Sequence, residues 1–299
     1  MIQQHVDRYI QLHRALGKKF EAQERVLSQF ATLASERDAT IITAEWVREA
    51  GTPNAARIRF GRARAFAEFL HGEDPRHEVP TAGLMGRGRR RRPTPYILMP
   101  EQIAGIMAEA LNVPGLAPIS PLTYHHLFGL LASTGLRISE ALSLRFDDLT
   151  DDGLMVRSGK FGKSRLVPLH ASTRAALQRY LAARREFGGA SDELFVLGHG
   201  HAPTKTRAHV VFVRIVRQLG YRNPKGPGPR LHDLRHTFAV RSLEACGNDP
   251  QAILRHMRAL STYLGHAEVA NTYWDLEATP VLLRTIASAT EGAFVGGAA

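Results

Sequence analysis

The chain has 299 residues, a length that suggests two domains, and its 44% hydrophobic and 22% charged residues are ordinary for a folded protein and exclude a disordered tail. With 39 Lys and Arg against 28 Asp and Glu, the formal charge is +11, and a chain this basic points toward a polyanionic partner or a solvated, arginine-rich surface. The single cysteine, Cys246, excludes an internal disulfide and a cysteine zinc cluster. The sequence contains no apolar run of the roughly 18 residues that would cross a bilayer and no secretory leader, so the expectation is a cytoplasmic protein without a membrane partner.

Residues 1 to about 70 read as helices. Val6, Ile10 and Leu12 begin one apolar stripe, and Val26, Leu27, Phe30 and Leu33 continue a second. Thr43 suits the N-cap of a third helix carrying Trp46 and Val47. After Thr52-Pro53-Asn54, a fourth helix carries Ile58, Phe60, Ala63, Phe66, Phe69 and Leu70. Its other face presents Arg57, Arg59, Arg62 and Arg64, either a solvated face or one that meets phosphates.

The stretch 71–95 is rich in Gly, Pro and charge and culminates in Gly86-Arg87-Gly88-Arg89-Arg90-Arg91-Arg92-Pro93. Clustered arginines repel one another unless an anion is present, so this reads as a basic linker over 86–95. Beyond it, helices are expected at about 100–111, 122–133 and 138–144. A β-hairpin follows, with Leu154–Arg157 and Arg165–Leu169 flanking a loop that holds Lys160 and Lys163. Helices resume at 172–185, 206–219, 234–246 and 250–264, and residues 291–299 form a small, uncharged tail. Between Glu193 and Asp233 the chain carries no acid but seven bases, Lys205, Arg207, Arg214, Arg217, Arg222, Lys225 and Arg230. This tract is a stronger sign of a polyanion-facing surface than net charge is.

Four segments hold polar groups that a packed domain rarely wants. In Thr134-Gly135-Leu136-Arg137-Ile138-Ser139-Glu140, the glycine permits a tight turn and Arg137 enters near a helix N-terminus, paired with Glu140 or aimed at a ligand. A hairpin lysine, Lys160 or Lys163, is either a solvated turn residue or a group able to reach into a cleft. In Leu231-His232-Asp233-Leu234-Arg235-His236, the three-residue spacing places His232 and Arg235 on one helix face. His232 and His236 have the spacing of a helical metal pair, but no Cys or carboxylate cluster completes a site, so no metal is expected. The fourth segment is Leu264-Gly265-His266.

Taken in order, T-G-L-R-x-x-E, a hairpin lysine before R-x-V-P-L, H-x-L-R-H and L-G-H, the segments resemble the tyrosine recombinase (phage integrase) family over about residues 95–285. Residues 1–85 resemble that family's helical core-binding domain more loosely. The resemblance implies a mainly α fold with a small β-sheet or hairpin in the C-terminal domain, and a two-domain C-shaped clamp on DNA. The domains would be 1–85 for core binding, 86–95 as linker, 96–290 for catalysis and 291–299 as tail. Arg137 and Arg235 would grip the non-bridging oxygens of the scissile phosphate. Lys160, or Lys163 in the same loop, would protonate the leaving 5′-oxygen, and His232 and His266 would hydrogen-bond the phosphate or move protons. Arg57, Arg59, Arg62, Arg64, Arg89, Arg90, Arg91, Arg92, Lys163, Lys205 and Arg207 would contact DNA. The partner is double-stranded DNA, held by a homo- or hetero-oligomer, a tetramer on two sites. No metal or nucleotide cofactor is implied, and no G-x-x-x-x-G-K-[ST] motif occurs. Type IB topoisomerases share the chemistry, but the spelling of the motifs fits recombinases better.

One position departs from the pattern. The nucleophilic tyrosine of the family stands nine residues after the L-G-H histidine, and here that residue is Asp275, within Thr272-Tyr273-Trp274-Asp275-Leu276. Tyr273 lies two residues away, a rotation of about 200° on a helix, so it takes over only if the helix is remodelled. Either an original tyrosine has been replaced, the chain is a natural inactive paralogue, or Tyr273 acts from an altered helix. The first two predict DNA binding without strand cleavage.

Overall fold

The computed structural model describes residues 2–18, 20–36, 40–41, 53–82, 94–113, 117–157, 164–189, 191–223, 226–246 and 249–265, with the backbone alone for 53–58, 250 and 254. The chain divides into two compact units, Met1–Arg92 and Pro93–Ala299.

The first unit holds three described helices, α1 (Ile2–Ala15), α2 (Glu21–Glu36) and α3 (Pro53–His71). Their apolar stripes meet in one core of Ile2, Val6, Ile10, Leu27, Phe30, Phe60, Phe66 and Leu70. Tyr9 joins the helices by packing its ring against Phe20, Phe66 and Phe69, with centroids 5.0–5.7 Å away. Gly17, at φ +75°, closes α1 in the left-handed region, where a residue without Cβ is least strained. Leu12 and Leu33, which extend the two sequence stripes, lie exposed instead, because each falls at the margin of the buried arc of its helix. The expected helix around Thr43, Trp46 and Val47 lies outside the described residues.

The second unit runs α4 (Pro100–Ala110), α5 (Ile119–Thr134), α6 (Ile138–Leu142), a 3-10 turn (Phe146–Asp148), β1 (Leu149–Thr150), β2 (Gly153–Val156), β3 (Arg165–Val167), α7 (Ala171–Phe187), α8 (Lys205–Gln218), α9 (Asp233–Glu244) and α10 (Pro250–Leu264). The fold is thus mainly helical with one small antiparallel sheet, strand order β1-β2-β3. Helix α5 is apolar nearly all round and forms the centre, with Tyr124, Leu127, Phe128 and Leu131 buried. It packs against α4, α7 and α9. In the β2–β3 hairpin Leu154 faces Val167 and Val156 faces Arg165, so these four share the inward side while Leu166 points out. Thr204 and Asp249 cap α8 and α10 by accepting from the amides of Arg207 (3.1 Å) and Gln251 (2.9 Å). Among the described residues no helix is long and apolar enough to cross a membrane.

Candidate active site

The site is built around the C-terminal end of α10. A helix leaves its last carbonyls without intrahelical donors, and its dipole places partial negative charge there. Three arginines from three other elements fill that role. Arg165, at the start of β3, donates Nε to the Tyr263 carbonyl at 2.7 Å. Arg235, on α9, donates Nη2 to Leu264 at 2.9 Å. Arg137, at the N-cap of α6, donates Nη1 to the same Leu264 carbonyl at 3.3 Å and Nη2 to Gly265 at 3.2 Å.

Local sequence explains how each arrives. Gly135 adopts φ +62° to end α5, and a Cβ there would stand 2.6 Å from Phe238, so only glycine allows the turn that delivers Arg137. Glu140 then reaches back: its carboxylate accepts the Arg137 amide (2.9 Å) and Nη1 (2.7 Å), which is the N3-to-N-cap half of a capping box with an ion pair added. Arg165 grips the same carboxylate from the hairpin, at 2.9 and 3.2 Å. Glu140 is 5% exposed. Burial by itself pushes its carboxyl up, but the bonds from Arg165 and Arg137 outweigh burial and hold it down to about 2.

Arg235 is 2% exposed. Besides Leu264 it donates Nη1 to the Gly135 carbonyl at 2.7 Å, so its guanidinium joins the C-terminal ends of α5 and α10. The two arginines singled out from T-G-L-R and H-x-L-R-H therefore converge on one carbonyl oxygen. Around Arg235 the segment is locked. Asp233, fully buried, accepts from Arg230 through its amide (2.8 Å) and guanidinium (2.7 and 3.1 Å). The Thr237 hydroxyl donates to the Asp233 carbonyl at 2.7 Å and accepts the Leu98 amide at 3.0 Å.

His232 precedes α9 and is exposed, with its ring edge-on to His236 at 4.6 Å. A cavity of about 150 Å³ is lined by His232, Arg235, Lys205 and His209 together with Leu131, Leu136, Ile138 and Leu231. One small hollow thus gathers cationic or protonatable groups from α8 and from the turn into α9, an arrangement suited to an anion. Among the described residues no group of three or more His, Cys, Asp or Glu could hold a metal ion.

The other expected site residues fall in different places. Lys205 and Arg207 are exposed on the first turn of α8. In the first unit Arg59 is half-buried, Arg62 donates to the Ala22 carbonyl on α2 (2.7 Å), and Arg64 donates to Pro80 (2.8 Å) and pairs with Glu68 (2.6 Å). The Arg57 side chain, Arg89, Arg90, Arg91, Arg92, Lys160, Lys163, His266, Tyr273 and Asp275 lie outside the described residues. The sequence reading missed Arg165 and His209 as site residues. Strand alternation carried a signal for Arg165, since it stands two residues before the buried Val167 and so shares its face. His209 lies four residues after Lys205 on α8 and so shares its side of the helix.

The model for the phage integrase family matches residues 97–276, a span that takes in all three arginines and Glu140. The chain is 38% identical over 296 residues to the putative integrase/recombinase y4rB of Sinorhizobium fredii (strain NBRC 101917 / NGR234), covering 94% of each. It is 36% identical over 208 residues to tyrosine recombinase XerC of Rhodospirillum centenum (strain ATCC 51521 / SW), covering 68% of this chain and 57% of that one. Among solved structures, the Tn1549 transposon integrase in complex with a circular intermediate DNA superposes with a TM-score of 0.65, 17% identity and coverage of 97% and 99% of the two chains. The mainly helical fold with its one small antiparallel sheet is shared with that integrase. This chain belongs to the phage integrase family, the tyrosine recombinases.

Proposed function

We propose that this protein binds double-stranded DNA as a site-specific recombinase-type protein, with Arg137 and Arg235 gripping the phosphate at which strands are exchanged. One observation carries the reading: both guanidiniums donate to the Leu264 carbonyl, so their charges stand side by side beside the segment that leads into His266. Guanidinium groups suit the non-bridging oxygens of a phosphodiester, and their charge offsets what builds up in a pentacoordinate transition state. In this scheme Lys160, or Lys163, protonates the leaving 5′-oxygen, and His232 and His266 hydrogen-bond the phosphate or carry its protons. Lys205, Arg207, the α3 arginines and Arg89–Arg92 supply salt-sensitive attraction to the backbone. Residues 1–85 and 96–290 act as the two halves of a clamp joined by 86–95, in an oligomer on two DNA sites.

The bond-breaking step of the scheme is attack by a tyrosine, which forms a 3′-phosphotyrosyl link and conserves the energy of the phosphodiester. Asp275 stands at the attacking position of this chain. A carboxylate is repelled by the phosphate, and an acyl phosphate is readily hydrolysed, so the chain holds DNA without a lasting covalent link. Asp275 also favours a second reading, a DNA-binding subunit that works beside an active recombinase.

A nicked suicide substrate tests both. The chain as it stands retards this DNA without a covalent adduct, and Asp275→Tyr creates one. Log–log affinity falls with salt at about −0.9 per phosphate contacted. A flat salt response removes both readings. An adduct-free Asp275→Tyr on a verified site removes the recombinase reading and leaves the accessory subunit.

A further inference from the structure

We propose that Arg165 is a positioning residue that locks the loop end of the β2–β3 ladder to the C-terminal end of α10, directly and through Glu140, so that these two ends keep one fixed relation. The proposal rests on the reading just given, in which groups carried by these two segments meet the same phosphate.

Three separate observations meet at this side chain. Arg165 is the first residue of β3 and pairs with Val156, the last residue of β2, so it sits at the end of the ladder next to the connecting loop. All three guanidinium nitrogens are engaged across elements: Nη1 and Nη2 with the two oxygens of Glu140, and Nε with the Tyr263 carbonyl. Its side chain is only 14% exposed, so it offers little surface for direct contact with a ligand. Glu140 in turn holds Arg137, which reaches the Leu264 and Gly265 carbonyls, and this closes a ring from hairpin to α6 to α10 and back to the hairpin.

Gly265 supplies the space. A Cβ at this position would stand 2.8 Å from Arg165 Nη1, so the missing side chain is where the guanidinium lies. A lysine keeps the charge but presents one ammonium on a flexible stem, and it does not reproduce a planar fork bonded at once to a carboxylate and a carbonyl. Loss of the fork also strips two bonds from a buried carboxylate, which then holds α6 alone.

The test uses the full chain with Arg165→Lys and Arg165→Met. Amide hydrogen exchange is expected to rise about tenfold or more in residues 153–157, 164–167 and 260–265 of both variants, while α5, α7 and α1 to α3 stay as in the parent. Unchanged exchange in those segments overturns the proposal. So does a rise spread evenly over the second unit, which marks a merely stabilising role, or recovery by the lysine variant, which marks a role for charge alone. On DNA, Arg165→Met is expected to weaken binding about tenfold with the parent's salt slope, whereas a slope lower by about 0.9 identifies Arg165 as a phosphate ligand and ends the positioning role. A parent chain that does not bind DNA defeats the functional reading above and leaves the exchange experiment to decide this one.

Discussion

Arginines serve the two units of the chain in opposite ways. In the first unit Arg59, Arg62 and Arg64 of α3 are half-exposed, and Arg62 and Arg64 take single carbonyls or a surface glutamate. In the second unit Arg137, Arg165 and Arg235 are largely buried, and each bonds to at least two acceptors on distant segments. An exposed arginine contributes charge that salt screens, and its exact position matters little. A buried, multiply bonded arginine contributes geometry, because desolvation makes every unmet bond costly. The same residue type thus supplies attraction in one place and a fixed framework in the other.

The largest effect should come from removing the acid that anchors the framework. Glu140→Ala leaves Arg137 and Arg165 partly buried without their carboxylate and is expected to cost about 3–5 kcal/mol, read from urea unfolding of the full chain. A loss as small as that of a surface substitution would erase the contrast between the units. The same carboxylate gives the framework a dependence on acid. Its folded value of about 2 lies below the ordinary 4.5, so the folded state binds fewer protons between those values. Its stabilising contribution is therefore complete above about pH 4.5 and is lost as pH falls through about 2. Glu140→Gln should flatten that limb of an acid-unfolding curve, and an unaltered limb would show that other carboxylates govern it.

Next in size is Gly265→Ala. The left-handed backbone alone costs about 1–2 kcal/mol with a side chain present, and the added Cβ displaces Arg165 as well. Its unfolding midpoint should fall further when Arg165 is intact than in an Arg165→Met background, because the steric part is then relieved. The smallest effect belongs to Arg62→Ala. Loss of its bond to Ala22 is expected to cost below about 1 kcal/mol in the same unfolding assay, while the salt slope for DNA falls by about 0.9 if that arginine meets a phosphate.

Much of this was legible beforehand for definite physical reasons. Helix α3 announced itself by apolar spacing at Phe60, Ala63, Phe66 and Leu70, and all four are buried. The hairpin was marked by alternation, and its strands overlap the expected segments, with β2 starting one residue earlier at Gly153. Arg137 and its pairing with Glu140 could be anticipated from three-residue spacing, since that contact is local. The arginine-to-carbonyl bonds at α10 could not, because they join positions from 29 to 128 residues apart through backbone atoms, and any residue supplies a carbonyl. Arg165 is visible in R-x-V-P-L, but its partners Glu140 and Tyr263 lie on other segments, so its role there is not a local feature of the motif. Leu12 and Leu33 marked the other limit: periodicity locates a helix face but not where that face ends.

The seat of Arg235 has a further electrical consequence. Its two nitrogens meet the closing ends of α5 and α10, each carrying about half an elementary negative charge, so two stretches of ordinary peptide together approach the counterweight of one acid. Peptide oxygens do not titrate. Acidification that neutralises Glu140 beside Arg137 therefore leaves the partial charge on these two acceptors of Arg235 unchanged.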